Sequence, residues 1–193
     1  SFSVDKFAQN IESYMNGKVS GYGYTIFHDG QIYYRGDGGG GWARRPVDAP
    51  AVEHGAQQRQ DIASSTKFIT ALATIALLDK YHMSLSEPVY KYLPSNWVPS
   101  ETFKELTFER LLSHRTGLIK YGGEWNELRA TVEGPMNLIA FYNNTRSYNN
   151  VNFALMAVIL PYVAAKKEFF NDYNYLKLIE NNTEMIYNAI GVR

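Results

Sequence analysis

The sequence has 193 residues and no cysteine. Disulfides, thiolate metal sites and cysteine nucleophiles are therefore excluded. A cysteine-free chain suits a secreted or periplasmic setting without disulfides, and a cytosolic one equally. No charge of one sign dominates, because Lys plus Arg number 19 and Asp plus Glu number 19. That balance gives neither a basic footprint for nucleic acid nor an acidic tail. No apolar run reaches the roughly 18 residues that a membrane span needs, and residues 68–78, uncharged throughout, fall short of it. The N-terminal Ser1-Phe2-Ser3-Val4-Asp5 shows neither a basic nor an apolar leader segment. His28, His54, His82 and His114 never fall at metal-ligand spacing, and His-Glu-x-x-His is absent. No metal and no cofactor is expected.

What is present suffices for a folded core. Hydrophobic residues make up 45% of the chain and charged residues 20%, which is ordinary globular usage and argues against disorder. The length suits one domain, or one domain with part of another. Fifteen tyrosines and three tryptophans on a neutral chain favour small-molecule or glycan-like ligands.

Val4, Phe7, Ala8, Ile11, Tyr14 and Met15 recur at helical spacing with polar residues between them, which predicts an amphipathic helix. Ser3 is its expected N-cap and Gly17 its stop. From Ser20 the period changes to two. Tyr22, Tyr24 and Ile26, then Ile32 and Tyr34, flank His28-Asp29-Gly30-Gln31, and Asp-Gly between such runs predicts a β-hairpin. A hairpin alone is marginal in water, so more sheet or a covering helix is implied. Residues 36–50, with their glycine run, read as a flexible connection. A phosphate cradle is the weaker reading, since no Gly-Lys-Ser/Thr follows.

Residues 68–78 predict a helix apolar all round, hence central and buried, ending near Asp79-Lys80. A proline-punctuated stretch follows, then a short helix near 108–113, a loop at Thr116-Gly117, a helical turn at Leu138–Tyr142, and an apolar helix over 151–165 that Pro161 is expected to kink. Residues 169–192 read as one or two amphipathic helices.

Ser64-Ser65-Thr66-Lys67 stands at the mouth of the apolar helix. Ser64 and Lys67 are three apart and share a helix face. A lysine there can take the serine proton or hold the base that does. The helix N-terminus favours negative charge on the serine oxygen, and the Ser64 N–H is a candidate oxyanion donor. The bland alternative is an N-capping serine beside a solvated lysine. Lys67 sits at the end of a helix otherwise too apolar to carry a charge, which favours the functional reading. Tyr148-Asn149-Asn150 precedes the second apolar helix. Tyr148 can shuttle a proton between Ser64 and a leaving group, and Asn150 can bind substrate or orient Lys67. The alternative there is a packed tyrosine with a capping Asn150. His114 follows Leu111-Leu112 at a helix end, where a histidine caps carbonyls and packs.

Together these segments resemble the serine β-lactamase-like family: class C β-lactamases, related esterases and D-Ala-D-Ala carboxypeptidases of penicillin-binding-protein kind. The ordered pieces are Asp29-Gly30 with Ile32-Tyr33-Tyr34, the Ser-x-x-Lys of Ser64 to Lys67, the segment from Ser84 to Pro94, the Leu-Leu-x-His-x-x-Gly-Leu of Leu111 to Leu118, and Tyr148-Asn149-Asn150 with Phe153-Ala154-Leu155. They cover roughly residues 20–165. The resemblance implies Ser64 as acylated nucleophile, Lys67 and Tyr148 sharing the base role, Asn150 assisting, and no catalytic role for His114.

The sequence departs from the family pattern in two places. Asn143-Asn144-Thr145 stands where Pro-Gly often precedes the tyrosine motif, and no third motif of Lys-Thr-Gly or His-x-Gly type follows Asn150. The implied fold class is α+β, β-lactamase/transpeptidase-like. A helix and hairpin over 1–60 begin an incomplete antiparallel sheet, and a mainly helical region occupies 61–193. A second chain or a C-terminal segment is expected to complete the sheet. The implied function is acyl-enzyme hydrolysis of an ester, peptide or β-lactam carbonyl in a small-molecule or peptide-like acyl substrate. The alternative is a catalytically impaired fragment or a non-enzymatic ligand-binding module of the same fold. Neither nucleic acid nor a membrane span is expected, and the resemblance favours a periplasmic or secreted setting.

Overall fold

The structure, a computed structural model, describes residues 2–33 and 38–168. The chain divides into two compact units, Ser1–Ala63 and Ser64–Arg193.

The first unit opens with α1 (Val4–Met15). Ser3 Oγ accepts the N–H of Lys6 at 3.3 Å, satisfying one of the donors that a helix start leaves orphaned. Asp5 in the first turn suits the positive end of the helix. Beyond Asn16, Gly17 takes a φ of 75° and turns the chain. Strands β2 (Phe27–His28) and β3 (Gln31–Ile32) pair antiparallel. Asp29 and Gly30 between them have φ of 48° and 77°, the double left-handed turn that Asp-Gly predicts. Tyr34, expected on the returning strand, lies outside the described residues.

Two expectations are corrected here. β1 (Gly21–Gly23) does not continue into the Asp29-Gly30 hairpin. It pairs antiparallel with β4 (Gly39–Arg44), which lies inside the stretch read as a loop, and β4 pairs in turn with β5 (Val52–Glu53). The cause is close approach between backbones. Gly21 faces Gly41 and Gly23 faces Gly39 across the ladder. A Cβ on Gly21 would stand 2.4 Å from the Trp42 carbonyl oxygen, and one on Gly41 2.4 Å from that of Ser20. Glycine is depleted in strands, so a glycine run read locally resembles a loop. Two phenols tie this region to α1: Tyr22 donates to Asn16 Oδ1 at 2.8 Å and Tyr24 to Glu12 Oε1 at 2.7 Å. The unit ends at Ala63, whose φ of 46° is unusual for a residue with a side chain and whose N–H donates to Asp61 Oδ1.

The second unit is helical. α2 (Thr66–Lys80) leads, followed by α3 (Phe108–Leu112), α4 (Trp125–Glu133), α5 (Leu138–Tyr142), α6 (Val151–Ala154) and α7 (Met156–Glu168). Its core gathers Leu78, Phe103, Phe108, Leu128, Phe141 and Ile159, all almost fully buried. Side chains close the helix starts. Thr107 caps α3 and Asn137 caps α5 by accepting N–H groups at 3.3 and 3.0 Å. α4, which the reading of the sequence did not foresee, starts with a capping box of Glu124 and Glu127. The single helix expected over 151–165 is interrupted at Leu155, and Pro161 lies within α7 rather than at the break. The amphipathic helices read at 169–192 lie outside the described residues.

α2 is not buried all round. Thr74 and Leu78 face the core, whereas Phe68, Ile69 and Leu72 are 69%, 57% and 51% exposed. An all-apolar helix needs cover on every side, and the core of its own unit supplies it on one. Helix and small antiparallel sheets followed by helices make an α+β chain, the class the sequence predicts. Among the described residues no helix is long and apolar enough to cross a membrane.

Candidate active site

Ser64 lies in the short 3₁₀ turn Ala63–Ser65 that runs into α2, and Lys67 follows one turn later. Three-residue spacing puts both side chains on one face. Lys67 Nζ donates to Ser64 Oγ at 3.2 Å. Tyr148, 84 positions along the chain, places its hydroxyl 2.6 Å from the same Oγ. The bland reading of Ser64 as an N-cap does not describe this geometry. The N-cap of α2 is Ser65, and its side chain makes no capping bond. Lys67 Nζ also stands 5.2 Å from the centre of the Tyr148 ring and 5.9 Å from that of Phe153, within range of a cation–π attraction.

The environment tunes the phenol. The hydrogen bond from Lys67 and then that with Ser64 hold Tyr148 below the usual tyrosine range; burial opposes them, and the Lys67 positive charge adds the smallest contribution. The residue is half exposed, so solvent reaches the hydroxyl pair.

Asn150 takes the N-cap position of α6, but its side chain makes no capping hydrogen bond. It is exposed, and among the described residues the structure does not bring it into hydrogen bonding with Ser64, Lys67 or Tyr148. Three of the four expected site residues therefore meet, and the fourth lies two positions beyond Tyr148.

The turn carrying Tyr148 is held from beneath by the buried polar residues His114, Asn149 and Asn152. Asn149 is 3% exposed. Its Oδ1 accepts the Val151 N–H at 3.0 Å, and its Nδ2 donates to the carbonyls of Leu118 and Lys120 at 3.1 and 2.7 Å. His114 is also buried, with its ring centre 4.6 Å from that of Tyr148 and 5.3 Å from that of Phe153. It packs, as expected, but its hydrogen bonds run to the Tyr148 turn and to Asn152 rather than from the ring to helix carbonyls. Burial first, then the charges of Arg146 and Lys67, push its imidazole below the usual histidine range. One signal for this network was present: Asn152 is a polar residue in an apolar helical stretch, and such a residue needs a buried partner.

Elsewhere His54 Nε2 lies 2.9 Å from Gln60 Oε1 within the first unit. The concavity lined by Gly39 to Trp42, Glu53 and His54 includes none of the expected site residues. Among the described residues no group of three or more His, Cys, Asp or Glu is placed to hold a metal ion.

Comparison with known proteins concerns the chain as a whole. The family model described as Beta-lactamase matches residues 7–175. Teichoic acid D-alanine hydrolases of Staphylococcus aureus, including those of strains NCTC 8325 / PS 47 and COL, are 26% identical to the chain over 208 residues. The alignment covers 97% of this chain and 41% of theirs, so the chain spans about two fifths of the length of these curated relatives. No solved structure matches it.

Proposed function

The chain belongs to the Beta-lactamase family, and from that premise we propose that it is a serine hydrolase that works through an acyl-enzyme on Ser64. Its curated relatives are hydrolases by name. The observation that carries the proposal is the position of Ser64 Oγ, 2.6 Å from the Tyr148 hydroxyl and 3.2 Å from Lys67 Nζ. A serine hydroxyl is a weak nucleophile until a neighbouring base takes its proton, and both neighbours stand within the reach that such a transfer requires.

In this proposal the Tyr148 oxygen, in the deprotonated form that Lys67 favours, accepts the Ser64 proton while Oγ bonds to the substrate carbonyl carbon. The carbonyl π electrons move to its oxygen, giving a tetrahedral species. That species collapses as the leaving group departs with the proton returned by Tyr148, which leaves the acyl group on Ser64. A water, its proton taken by the same base, attacks the acyl carbon, and Oγ leaves and is reprotonated. No step requires a cofactor. Asn150, exposed beside Tyr148, binds the substrate.

The substrate is an ester, peptide or β-lactam carbonyl. The name of the relatives points to a D-alanyl ester as the first to try. Burst kinetics with a D-alanyl ester, an aryl ester and a chromogenic cephalosporin test the proposal. Saturable hydrolysis that disappears in Ser64→Ala is the expected result. Turnover that persists in Ser64→Ala refutes it. Saturable binding of these ligands with no acyl adduct on the folded chain would favour a binding module of the same fold.

A further inference from the structure

The buried polar groups under the Tyr148 turn fix one another's protonation. A backbone N–H can only donate, so the Asn149 N–H, 3.3 Å from His114 Nδ1, makes that nitrogen an acceptor. The imidazole is therefore neutral with its proton on Nε2. The Asn152 amide then follows. Its nitrogen donates to the same Nδ1 at 2.9 Å, which leaves its Oδ1 to accept the Thr116 hydroxyl at 2.8 Å. Thr116 Oγ1 in turn accepts the Leu118 N–H at 3.3 Å.

His114 grips the turn at two points. Its carbonyl accepts the N–H of Ser147 at 2.8 Å, and its Nδ1 accepts that of Asn149. These are the residues on either side of Tyr148. Its own φ of 59° lies in the left-handed region, where asparagine, aspartate and histidine are enriched among residues with a side chain.

We propose that His114 is the positioning residue of Tyr148: it holds Ser147 and Asn149 by its carbonyl and its Nδ1, and so keeps the phenol against Ser64 Oγ and Lys67. The geometry stands by itself, and its consequence for turnover rests on the acyl-transfer reading above. Burial and the nearby charges of Arg146 and Lys67 both oppose an imidazolium, which keeps Nδ1 free to accept.

The test uses the 193-residue chain labelled with tyrosine carrying ¹³C at Cζ, with Tyr148→Phe to assign the Tyr148 signal. His114→Gly keeps the left-handed backbone and removes the acceptor. His114→Asn keeps that backbone and restores an acceptor, because Oδ1 stands close to where Nδ1 was. The wild-type phenol is expected to titrate below the usual tyrosine range. In His114→Gly that titration returns toward the usual range, and phosphonylation of Ser64 by a fluorophosphonate, with loss of fluoride, slows about tenfold, the effect of one lost hydrogen bond. In His114→Asn both recover. A folded His114→Gly with the wild-type titration contradicts the proposal, as does an asparagine variant no better than the glycine one. Should the glycine variant fail to fold, the asparagine variant decides, since a titration at the wild-type position supports positioning and one in the usual range refutes it. Titrations that respond as expected on a chain whose Ser64 never takes up the fluorophosphonate would overturn the acyl-transfer reading and leave the positioning role intact.

Discussion

A phenol at its ordinary value near 10 is almost entirely protonated at neutral pH and serves poorly as a base. Lys67 changes that by a hydrogen bond and a positive charge on the Tyr148 hydroxyl. The reactive form is the deprotonated one, so the rate rises with pH until the phenol has lost its proton. The rising limb of kcat/KM against pH for an aryl ester is therefore expected below the usual tyrosine range. Lys67→Ala removes the cation and moves that limb to higher pH, which lowers the rate at neutrality. An unchanged limb would remove Lys67 from this role. Tyr148→Phe keeps the ring packing on His114 and deletes the shuttle, with an expected loss of about 10²–10⁴-fold in kcat/KM. Asn150→Ala is expected to raise KM more than it lowers kcat, the pattern of a residue that binds substrate. Ser64 and Lys67 were legible in the sequence because three-residue spacing at a helix start is local geometry. The grip of His114 on Asn149 was not, since the partners are 35 positions apart and neither residue type announces the other.

The helices show what periodicity captures and what it leaves out. The bounds of α1 follow from amphipathic spacing and the Ser3 cap, and the helical turn read at Leu138–Tyr142 coincides with α5. α4 was equally open to that reading, with Glu124 and Glu127 as its capping box and Trp125, Leu128 and Val132 as its buried stripe. β4 was hidden for a different reason, because its glycines are required by a partner strand about twenty residues away. Gly41→Ala is expected to destabilise the fold by about 1–2 kcal/mol or more, combining a left-handed φ with a Cβ against the Ser20 carbonyl. Gly30→Asn, in the open turn, is expected to stay within about 0.5 kcal/mol of wild type. Urea unfolding of the two variants separates them, and equal losses would contradict the close-approach account of β4. The same measurement tests the two sides of α2. Leu78→Ala is expected to cost about 2–5 kcal/mol, and Leu72→Ser, on the exposed side, about 0.5 kcal/mol or less.

At the scale of the molecule, Ser64, Lys67, Tyr148 and the His114 network all belong to the Ser64–Arg193 unit. The reactive constellation and its support thus share one hydrophobic core. That arrangement couples stability to pH through His114. Its folded-state value lies below the ordinary 6.5, so between the two values the unfolded chain binds more protons than the folded one. Stability is then fully present above about pH 6.5 and declines as pH falls through that value toward the lower one. Thermal midpoints measured from pH 7.5 downward are expected to fall more steeply for the wild type than for His114→Asn, and parallel curves would deny the histidine this contribution. The central claim, that Ser64 is an activated nucleophile, is tested most directly by intact mass after treatment with a fluorophosphonate, followed by peptide mapping. A single adduct on Ser64, absent from Ser64→Ala and strongly slowed in Tyr148→Phe, is the predicted result. A folded chain that gains no adduct, or gains one elsewhere, would contradict it.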